Sequence, residues 1–501
     1  MATSTLKEKT AKGLMWGGIG NGAQLILGCA FGIILARLLS PADYGMVGVL
    51  QIFLQIAALL QACGFSQALT NRKEFRHEDY NAVFWFNITT AVILYIILFL
   101  AAPLITSFYQ RSGFSTGYNL ENLTPLTRVC ALGFVIASFG TAHYAYLFRT
   151  LQVKQKATIT IISLTTSNLI GITMALCGCS YWSLAIQSLV YVSSNSILFW
   201  HFSHWHPTWN KIELQPLREM LPFSSKLLAT WIFNCINLNI LSVMLGRFYS
   251  MHDVGYFNQA NKWCNMAGST LQGTLQDVTQ PVLRNVTNDP ERHRKVFRKL
   301  LRFTSMVTFP SMFGLAYVAK EFITITLTAK WLESAVLMQI LCSCAFAIPL
   351  QALCMNLLIA KERSDMVLKN TLACGAVQLA SVFFSYPFGI RTMVTVYALV
   401  NVVWLCIPFT MVRRVIGMSL RHALADAIPY ATLAALSIMI TNIAAAQISP
   451  ILLRLITKIG LTAALYALSL WITRSVIFKE SLIWFRARLK ALLTSAHRRK
   501  S

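Results

Sequence analysis

Long apolar runs dominate this chain, and short segments that carry most of the charge separate them. Many of the runs reach ~20 residues, the length that an α-helix needs to cross ~30 Å of hydrocarbon. Hydrophobic residues make up 56% of the 501 residues and charged residues 12%, against roughly 45–50% and 25% in an ordinary soluble domain. The pattern therefore predicts an all-α polytopic membrane protein and excludes a soluble globular domain.

The chain is strongly basic, with 43 Lys and Arg residues against 18 Asp and Glu residues and a formal net charge of +25. Nucleic-acid-binding proteins gather such charge on a polar surface, whereas here the basic residues stand between apolar runs. We therefore expect no nucleic-acid partner. The twelve cysteines show no metal-ligand spacing and are typical of small buried hydrophobic residues. Neither a cofactor nor a metal site is predicted.

A window of ~20 residues predicts about fourteen transmembrane helices. Their approximate ranges are 14–39, 44–65, 81–108, 125–148, 158–178, 181–202, 222–247, 254–283, 303–319, 334–360, 366–386, 391–412, 426–447 and 451–474. The first twelve are expected to form two six-helix lobes, residues 1–210 and 211–420, around a central cavity. Helices 13 and 14 occupy residues 421–478, and residues 479–501 form a basic amphipathic tail.

The distribution of basic residues predicts the orientation of the chain. With the N-terminus inside, the inner segments carry about thirty Lys and Arg residues. This arrangement fits membrane proteins in general, whose cytoplasmic loops hold the excess of such residues. The outer segments keep seven: Arg37, Arg111, Arg128, Arg247, Lys320, Lys330 and Arg391. Both termini are therefore expected on the cytoplasmic side.

An internal repeat relates the two predicted lobes. The sequence LARLLSPADYG at 35–45 aligns with LGRFYSMHDVG at 245–255 at a constant offset of 210 residues, and Leu, Arg, Ser, Asp and Gly coincide. Both copies lie at the outer turn between the first two helices of a lobe, as expected for parallel repeats. In each copy Ser can cap the next helix, Asp can accept from the first-turn N–H groups of that helix, and Gly permits a close approach. We interpret these turns as structural latches.

The predicted span 254–283 carries polar residues at steps of three and four. This spacing places them on one face of a helix, and so long a polar stripe cannot face lipid. The stripe consists of Asn258, Lys262, Asn265, Ser269, Gln272, Gln276 and Gln280. A shorter stripe in the preceding span consists of Lys226, Thr230, Asn234 and Asn237, and the first span contributes Asn21 and Gln24. The two lobes are therefore expected to point polar groups at a shared centre.

We take ten of these residues as candidates for substrate binding: Lys262, Asn258, Asn265, Gln272, Gln276, Lys226, Asn234, Asn237, Asn21 and Gln24. For the amides, the alternative is that they join helices by hydrogen bonds. A lysine within a span costs ~2.5–3.5 kcal/mol on insertion scales and marks a pathway that faces water or an anion. Lys226 can instead reach the inner interface. Arg37 and Arg247 are assigned to the outer mouth, where contact with lipid headgroups is the alternative.

Carboxylates are scarce within the spans, and Asp277 and Glu333 are the nearest candidates. A cavity for organic cations would need buried negative charge, and a membrane glycosyltransferase would need acidic residues on an outer loop. The chain also lacks a Ser-His-Asp order, H-E-x-x-H and the phosphate-binding G-x-x-x-x-G-K. No catalytic residues are predicted, and a transporter is favoured over an enzyme.

Two basic amphipathic segments are predicted to lie on the inner leaflet and to contact its anionic lipids. One opens at Asp289-Pro290 and runs to about residue 302, with its apolar face formed by Val296, Phe297, Leu300 and Leu301. The other covers residues 479–493 of the tail. The alternative for both segments is a solvated connector.

Three stretches in the first part of the chain carry a family resemblance. They are LARLLSPADYG at 35–45, GFSQALTNRKE at 64–74 and NAVFWFN at 81–87. Together they resemble the polysaccharide-transport branch of the multidrug/oligosaccharidyl-lipid/polysaccharide exporter superfamily, and more closely its bacterial lipopolysaccharide, O-antigen and colanic-acid type flippases. Members of this branch are similar in having two six-helix lobes around a central cavity and two further C-terminal helices.

The resemblance implies a function for the predicted cavity. It implies transfer of a polyprenyl-pyrophosphate-linked oligosaccharide, such as a lipopolysaccharide, O-antigen or exopolysaccharide repeat unit, from the inner to the outer leaflet by alternating access. The location would be the bacterial cytoplasmic (inner) membrane, with polysaccharide polymerase and glycosyltransferase machinery as candidate partners. Two alternatives stay open: a drug or cation exporter on the same fold, and a membrane enzyme acting on polyprenyl-linked sugars.

Overall fold

The computed structural model describes residues 6–63, 65, 69, 76–110, 120–150, 152–209, 215–284 and 290–483. Regular structure within these ranges is helical, which confirms the all-α prediction. We number the α-helices α1 Leu6–Leu38, α2 Pro41–Gly48, α3 Gln51–Ala62, α4 His77–Gln110, α5 Leu123–Arg149, α6 Val153–Leu176, α7 Trp182–Phe202, α8 Gln215–Phe248, α9 Met251–Arg284, α10 Pro290–Thr326, α11 Leu332–Cys344, α12 Ala347–Ala360, α13 Ser364–Ser385, α14 Ile390–Trp404, α15 Cys406–Ile416, α16 Leu420–Ala445 and α17 Ile451–Ile472.

Eleven of the described helical segments are long and apolar enough to cross a membrane, which establishes a multi-pass architecture. Helices α7, α9 and α10 lie at further predicted spans but fall outside this set, since polar or charged residues lower their hydropathy. The total of fourteen spans stays a prediction.

Three of the predicted spans consist of two helices in succession: α2 with α3, α11 with α12, and α14 with α15. Proline explains two of the breaks. A proline has no backbone N–H to donate to the carbonyl group four residues earlier. For Pro349 and Pro408 these carbonyl groups belong to Ala345 and Trp404, and the regular helix is interrupted next to each of them. The bends therefore follow from the sequence of α12 and α15.

The chain forms two compact units, Met1–Asn258 and Gln259–Ser501. In the first unit α6 packs on α1 and α7, α5 packs on α4 and α7, and α8 packs on α3 and α4. An aromatic cluster in this unit surrounds His143, which is fully buried. The centre of its imidazole ring lies 4.6 Å from the ring centre of Trp200 and 5.1 Å from that of Trp205. The predicted boundaries at residues 210, 420 and 478 stay predictions.

Helix α10 organises the second unit, where it packs on α11, α16 and α17. Its 37 residues span about 55 Å at 1.5 Å per residue, well beyond the ~30 Å of a bilayer core. Residues 290–302, which were expected to lie on the membrane surface, form the first part of this helix. Phe297 and Leu301 are fully buried in a core with residues of α12, α15 and α16. The apolar face of the segment is therefore covered by protein.

The basic side of the same segment also finds protein partners. Arg298 donates to both carboxylate oxygens of Asp426, over 2.6 and 2.9 Å, and Arg302 Nε donates to Oδ1 over 2.6 Å. The hydrogen bond to Asp426 raises the pKa of Arg298 above its usual value. The Asp426 side chain is only 3% exposed, so this cluster fixes the first half of α10 to α16.

The predicted tail helix is described only in part. Residues 476–483 are helical, and Glu480 forms an ion pair of 2.6 Å with Lys299 of α10. The rest of the predicted amphipathic tail, residues 484–501, lies outside the described residues.

Candidate functional site

The two copies of the internal repeat form the same local structure. Ser40 caps α2: its hydroxyl accepts from the Asp43 N–H over 3.3 Å, while the Asp43 carboxylate accepts from the Ser40 N–H over 2.8 Å. In the second copy Ser250 and Asp253 exchange the same two bonds over 3.2 and 3.1 Å. Such a reciprocal cap satisfies N–H groups that a helix start leaves open. The predicted capping role of Ser is confirmed, and the N–H group from which Asp accepts is that of the capping Ser itself.

The glycines of the two copies make reciprocal contacts. A Cβ atom added to Gly45 would overlap the carbonyl oxygen of Met251 and lie 2.7 Å from its carbonyl carbon. A Cβ atom added to Gly255 would overlap the carbonyl oxygen of Pro41 and lie 2.6 Å from its carbonyl carbon. Because 45 and 255, like 41 and 251, are related by the offset of 210, each copy packs on the other through equivalent atoms. The predicted close approach is confirmed, and its partner is the other copy.

The contact continues one turn further along α2 and α9. A Cβ atom on Gly48 would overlap the side-chain amide nitrogen of Asn258, which is its counterpart in the repeat. The other end of the Asn258 amide accepts from the Ser242 hydroxyl over 2.8 Å. Asn258 is therefore held at the junction of α2, α8 and α9, which is a positioning role in addition to its place in the polar stripe.

The five described side chains of the polar stripe on α9 are exposed or half-buried. Lys262, Asn265 and Ser269 are exposed and Gln272 is half-buried. Trp263, Cys264 and Leu275 are buried on the other faces of the same helix. Asn265 donates to Asn261 over 3.0 Å, and Lys262 Nζ lies 5.7 Å from the centre of the Trp263 ring. The side chains of Gln276 and Gln280 lie outside the described residues.

The other candidate residues divide between accessible and packed positions. Asn21 and Gln24 are exposed on α1, Asn234 is half-buried, and Asn237 is 9% exposed with no hydrogen-bond partner for Oδ1 among the described residues. The side chain of Lys226 lies outside the described residues. On the same helix, Asn239 donates to Gln55 of α3 over 2.9 Å. For that pair, the interpretation as a bond between helices holds.

The two arginines assigned to the outer mouth differ in their surroundings. Arg37 is exposed at the end of α1. Arg247 donates to the carbonyl oxygen of Phe108, and its guanidinium lies 5.0 Å from the centre of that ring. Arg247 therefore contacts α4 in addition to any role at the membrane surface.

The structure contains a buried carboxylate, that of Glu321, which the sequence did not lead us to expect. Glu321 of α10 accepts from Lys458 of α17 over 2.7 Å, and their side chains are 6% and 11% exposed. The Lys458 ammonium also lies 4.2 Å from the centre of the Tyr317 ring. Glu321 was overlooked because the ninth span was taken to end at residue 319. Lys458, inside an apolar span, was the signal that a buried partner had to exist.

The two carboxylates named from the sequence have other surroundings. Glu333 is exposed and accepts from Arg391 over 2.8 and 3.0 Å, so it forms a surface ion pair. The side chain of Asp277 lies outside the described residues. Among the described residues, no group of three or more His, Cys, Asp or Glu side chains could hold a metal ion.

The comparisons with known proteins give the family. The model of a family described as "Polysaccharide biosynthesis protein" matches residues 34–336, more than half of the chain. The chain belongs to this family. The match covers the whole first repeat copy and extends through α9 and α10, and it confirms the resemblance that the sequence motifs indicated.

Relatives in the polysaccharide biosynthesis family cover most of the chain. The lipopolysaccharide biosynthesis protein WzxC of Escherichia coli (strain K12) is 24% identical over 83% of this chain and 84% of its own length. The teichuronic acid biosynthesis protein TuaB of Bacillus subtilis (strain 168) is 25% identical over 73% and 74%. A membrane protein in the cps region of Klebsiella pneumoniae is 27% identical over 68% of each chain.

Solved structures confirm the fold class. The lipid II flippase MurJ in an inward closed conformation superposes with a TM-score of 0.74 at 11% identity, covering 92% of this chain and 99% of that one. An inward-facing multidrug resistance MATE family transporter reaches a TM-score of 0.62 at 16% identity, over 79% and 94%. At these identities the likeness concerns the fold alone.

Proposed function

We propose that this protein is a flippase that moves a polyprenyl-pyrophosphate-linked oligosaccharide from the inner to the outer leaflet by alternating access. The observation that carries the proposal is the polar, cationic stripe on the accessible face of α9 in a member of the polysaccharide biosynthesis family. Relatives named for lipopolysaccharide, teichuronic acid and succinoglycan synthesis support a polysaccharide precursor as the cargo.

The chemistry of the stripe suits a pyrophosphate-linked sugar. An ammonium group donates charge-assisted hydrogen bonds to phosphate oxygens, and amides donate to and accept from sugar hydroxyls. Lys262 is the cation of the described part of the stripe, with Asn265 one turn further along and Asn258 one turn before it. We assign pyrophosphate binding to Lys262 and contacts to the sugar or the diphosphate to Asn258, Asn265, Gln272, Gln276, Asn234, Asn237, Asn21, Gln24 and Lys226.

The orientation and the partners belong to the same proposal. The excess of basic residues on one side supports cytoplasmic termini in the bacterial inner membrane. A lobe arrangement of residues 1–210 and 211–420 would place the stripes around the central cavity. Anionic lipids of the inner leaflet, the polymerase and the glycosyltransferases are its proposed partners.

A drug or cation exporter on the same fold is the competing function, because a MATE family transporter shares the fold. A cavity for organic cations needs uncompensated negative charge. Glu321 and Glu333 are each paired with a cation, which argues against such a cavity. Extra copies of the gene should therefore leave resistance to cationic dyes unchanged, and a rise in resistance would favour the exporter.

The test of the proposed function is complementation of a flippase-deficient strain at matched protein level. Lys262→Ala should abolish complementation, whereas Lys262→Arg should retain part of it because the positive charge stays. Lys320→Ala, at another exposed lysine of a neighbouring helix, serves as the control and should complement fully. If Lys262→Ala behaves like the wild type, Lys262 does not bind the substrate.

A further inference from the structure

A basic pocket of about 270 Å³ lies in the second unit between α13 and α15. Its lining residues are Arg363, Asp365, Met366, Lys369, Met411, Arg414 and Val415. The three cations and one carboxylate give it a net charge of +2. Its volume falls below the roughly 300–1,000 Å³ of pockets that enclose drug-sized ligands, so it suits a small anionic group.

Two of the cations are available to a ligand. Arg363 forms an ion pair of 3.5 Å with Asp365. Lys369 and Arg414 are exposed, and neither has a hydrogen-bond or ion-pair partner among the residues that the structure describes. Two positive side chains that converge on one pocket without a carboxylate of their own form a place for an anion.

The pocket lies at the level where membrane phosphates are found. Arg363 and Asp365 stand at the start of the candidate span Asp365–Phe388, and Met411 and Arg414 stand at the end of the candidate span Ile390–Ile416. Neighbouring ends of two spans mark the membrane–water interface. Basic pockets between transmembrane helices at this level bind phospholipid headgroups.

The apolar part of the pocket distinguishes a lipid from a soluble anion. Met366, Met411 and Val415 line it beside the cations. Along α13, Leu368 and Leu372 continue from the pocket into the span, and they are 45% and 42% exposed. A molecule with a phosphate at one end and acyl chains at the other would cover both surfaces.

From this arrangement we propose that the pocket binds the phosphodiester headgroup of an anionic phospholipid, with the acyl chains against Leu368 and Leu372. Lys369 and Arg414 contact the phosphate, and Arg363 closes the pocket at the interface. The proposal does not depend on the cargo of the transporter. The pocket is a site distinct from residues 290–302, where Phe297 and Leu301 are buried in protein.

The experiment measures lipid retention by native mass spectrometry of the full-length, delipidated protein titrated with phosphatidylglycerol or phosphatidylcholine. Lys369→Gln and Arg414→Gln should each lower retention of phosphatidylglycerol about five-fold, the factor expected for one basic residue near anionic lipid, and should leave phosphatidylcholine unchanged. Arg413→Gln is the matched control, because Arg413 is exposed on the same helix but does not line the pocket. Equal retention by the Lys369→Gln/Arg414→Gln double variant and the wild type would overturn the proposal.

Two further arms keep the result unambiguous. Asp365→Asn raises the net charge of the pocket to +3 and should increase retention of phosphatidylglycerol only in a protein that keeps the wild-type melting temperature, which separates the gain from misfolding. Inorganic phosphate added in excess should not displace the lipid. Displacement would assign the pocket to a soluble phosphate and would overturn the lipid assignment. Complementation measured in parallel reports on the proposed transport function separately.

Discussion

Gly45 lies against the carbonyl oxygen of Met251 so closely that no side chain fits between them. The equivalent pair, Gly255 and Pro41, repeats the contact 210 residues away. The two copies of the repeated turn therefore pack directly on each other. Because both sides of each contact are backbone atoms, neither side can move away as a flexible side chain would.

Gly45→Ala and Gly255→Ala should each separate the two turns. Overpacking of this kind costs about 1–3 kcal/mol, and we expect faster hydrogen exchange at residues 41–48 and 251–258 together with a loss of complementation. Gly268→Ala is the control on α9, because a Cβ atom there meets nothing within 4 Å and alanine favours helix. Unchanged exchange in both test variants would show that the contact is absent from the populated state.

Asp426→Asn should lower the melting temperature of the purified protein. The exchange removes the charge that holds Arg298 and Arg302, and hydrogen bonds to charged groups contribute ~1.5–3 kcal/mol each. Glu333→Gln is the matched control, since its pair with Arg391 is exposed on both sides and such pairs contribute ~0–1 kcal/mol. Equal shifts for the two variants would contradict a special role of the α10–α16 cluster.

Glu321→Gln and Lys458→Met should each destabilise the protein more than the double variant does. Removal of one partner leaves a buried charge unpaired at a cost of about 3–5 kcal/mol, whereas removal of both can be neutral. Thermal unfolding of the four proteins in one detergent gives the coupling directly. Additive effects of the two single exchanges would mean that the pair does not exist in the membrane-extracted protein.

The membrane potential should suffice for net flipping. A pyrophosphate diester carries about two negative charges, and outward movement of each releases ~2.3 kcal/mol per 100 mV when the inside is negative. Proteoliposomes with a potassium diffusion potential, equal pH and no sodium test this expectation. A response to a proton or sodium gradient alone would contradict it, and Glu321→Gln would then be compared with Glu333→Gln to locate the carboxylate.

The sequence predicted the helical class and most helix positions because a span must be both long and apolar. It predicted none of the three breaks within spans, although a proline follows two of them, and it did not predict the union of the basic segment 290–302 with the ninth span. In that segment the apolar face of Phe297 and Leu301 is equally compatible with lipid and with protein. Only the tertiary neighbours of the face decide between the two.

For the site, spacing predicted which side chains of α9 share a face, and the exposure of Lys262, Asn265 and Ser269 agrees with one accessible surface. The sequence could not predict which side chains on different helices form hydrogen bonds or ion pairs with each other. The bond of Asn239 to Gln55 and the pair of Glu321 with Lys458 join residues 184 and 137 positions apart. Hydropathy and periodicity describe neighbouring residues of one helix, so they carry no information on pairs that lie this far apart in the sequence.

The internal caps of the two repeat turns have an energetic consequence. Ser40 and Asp43 satisfy one helix start, and Ser250 and Asp253 satisfy the other. Each pair of bonds lies within its own turn, so these bonds do not depend on the contact between the two turns. Separation of the two turns would therefore cost only the contacts between them, because each helix start keeps its own cap.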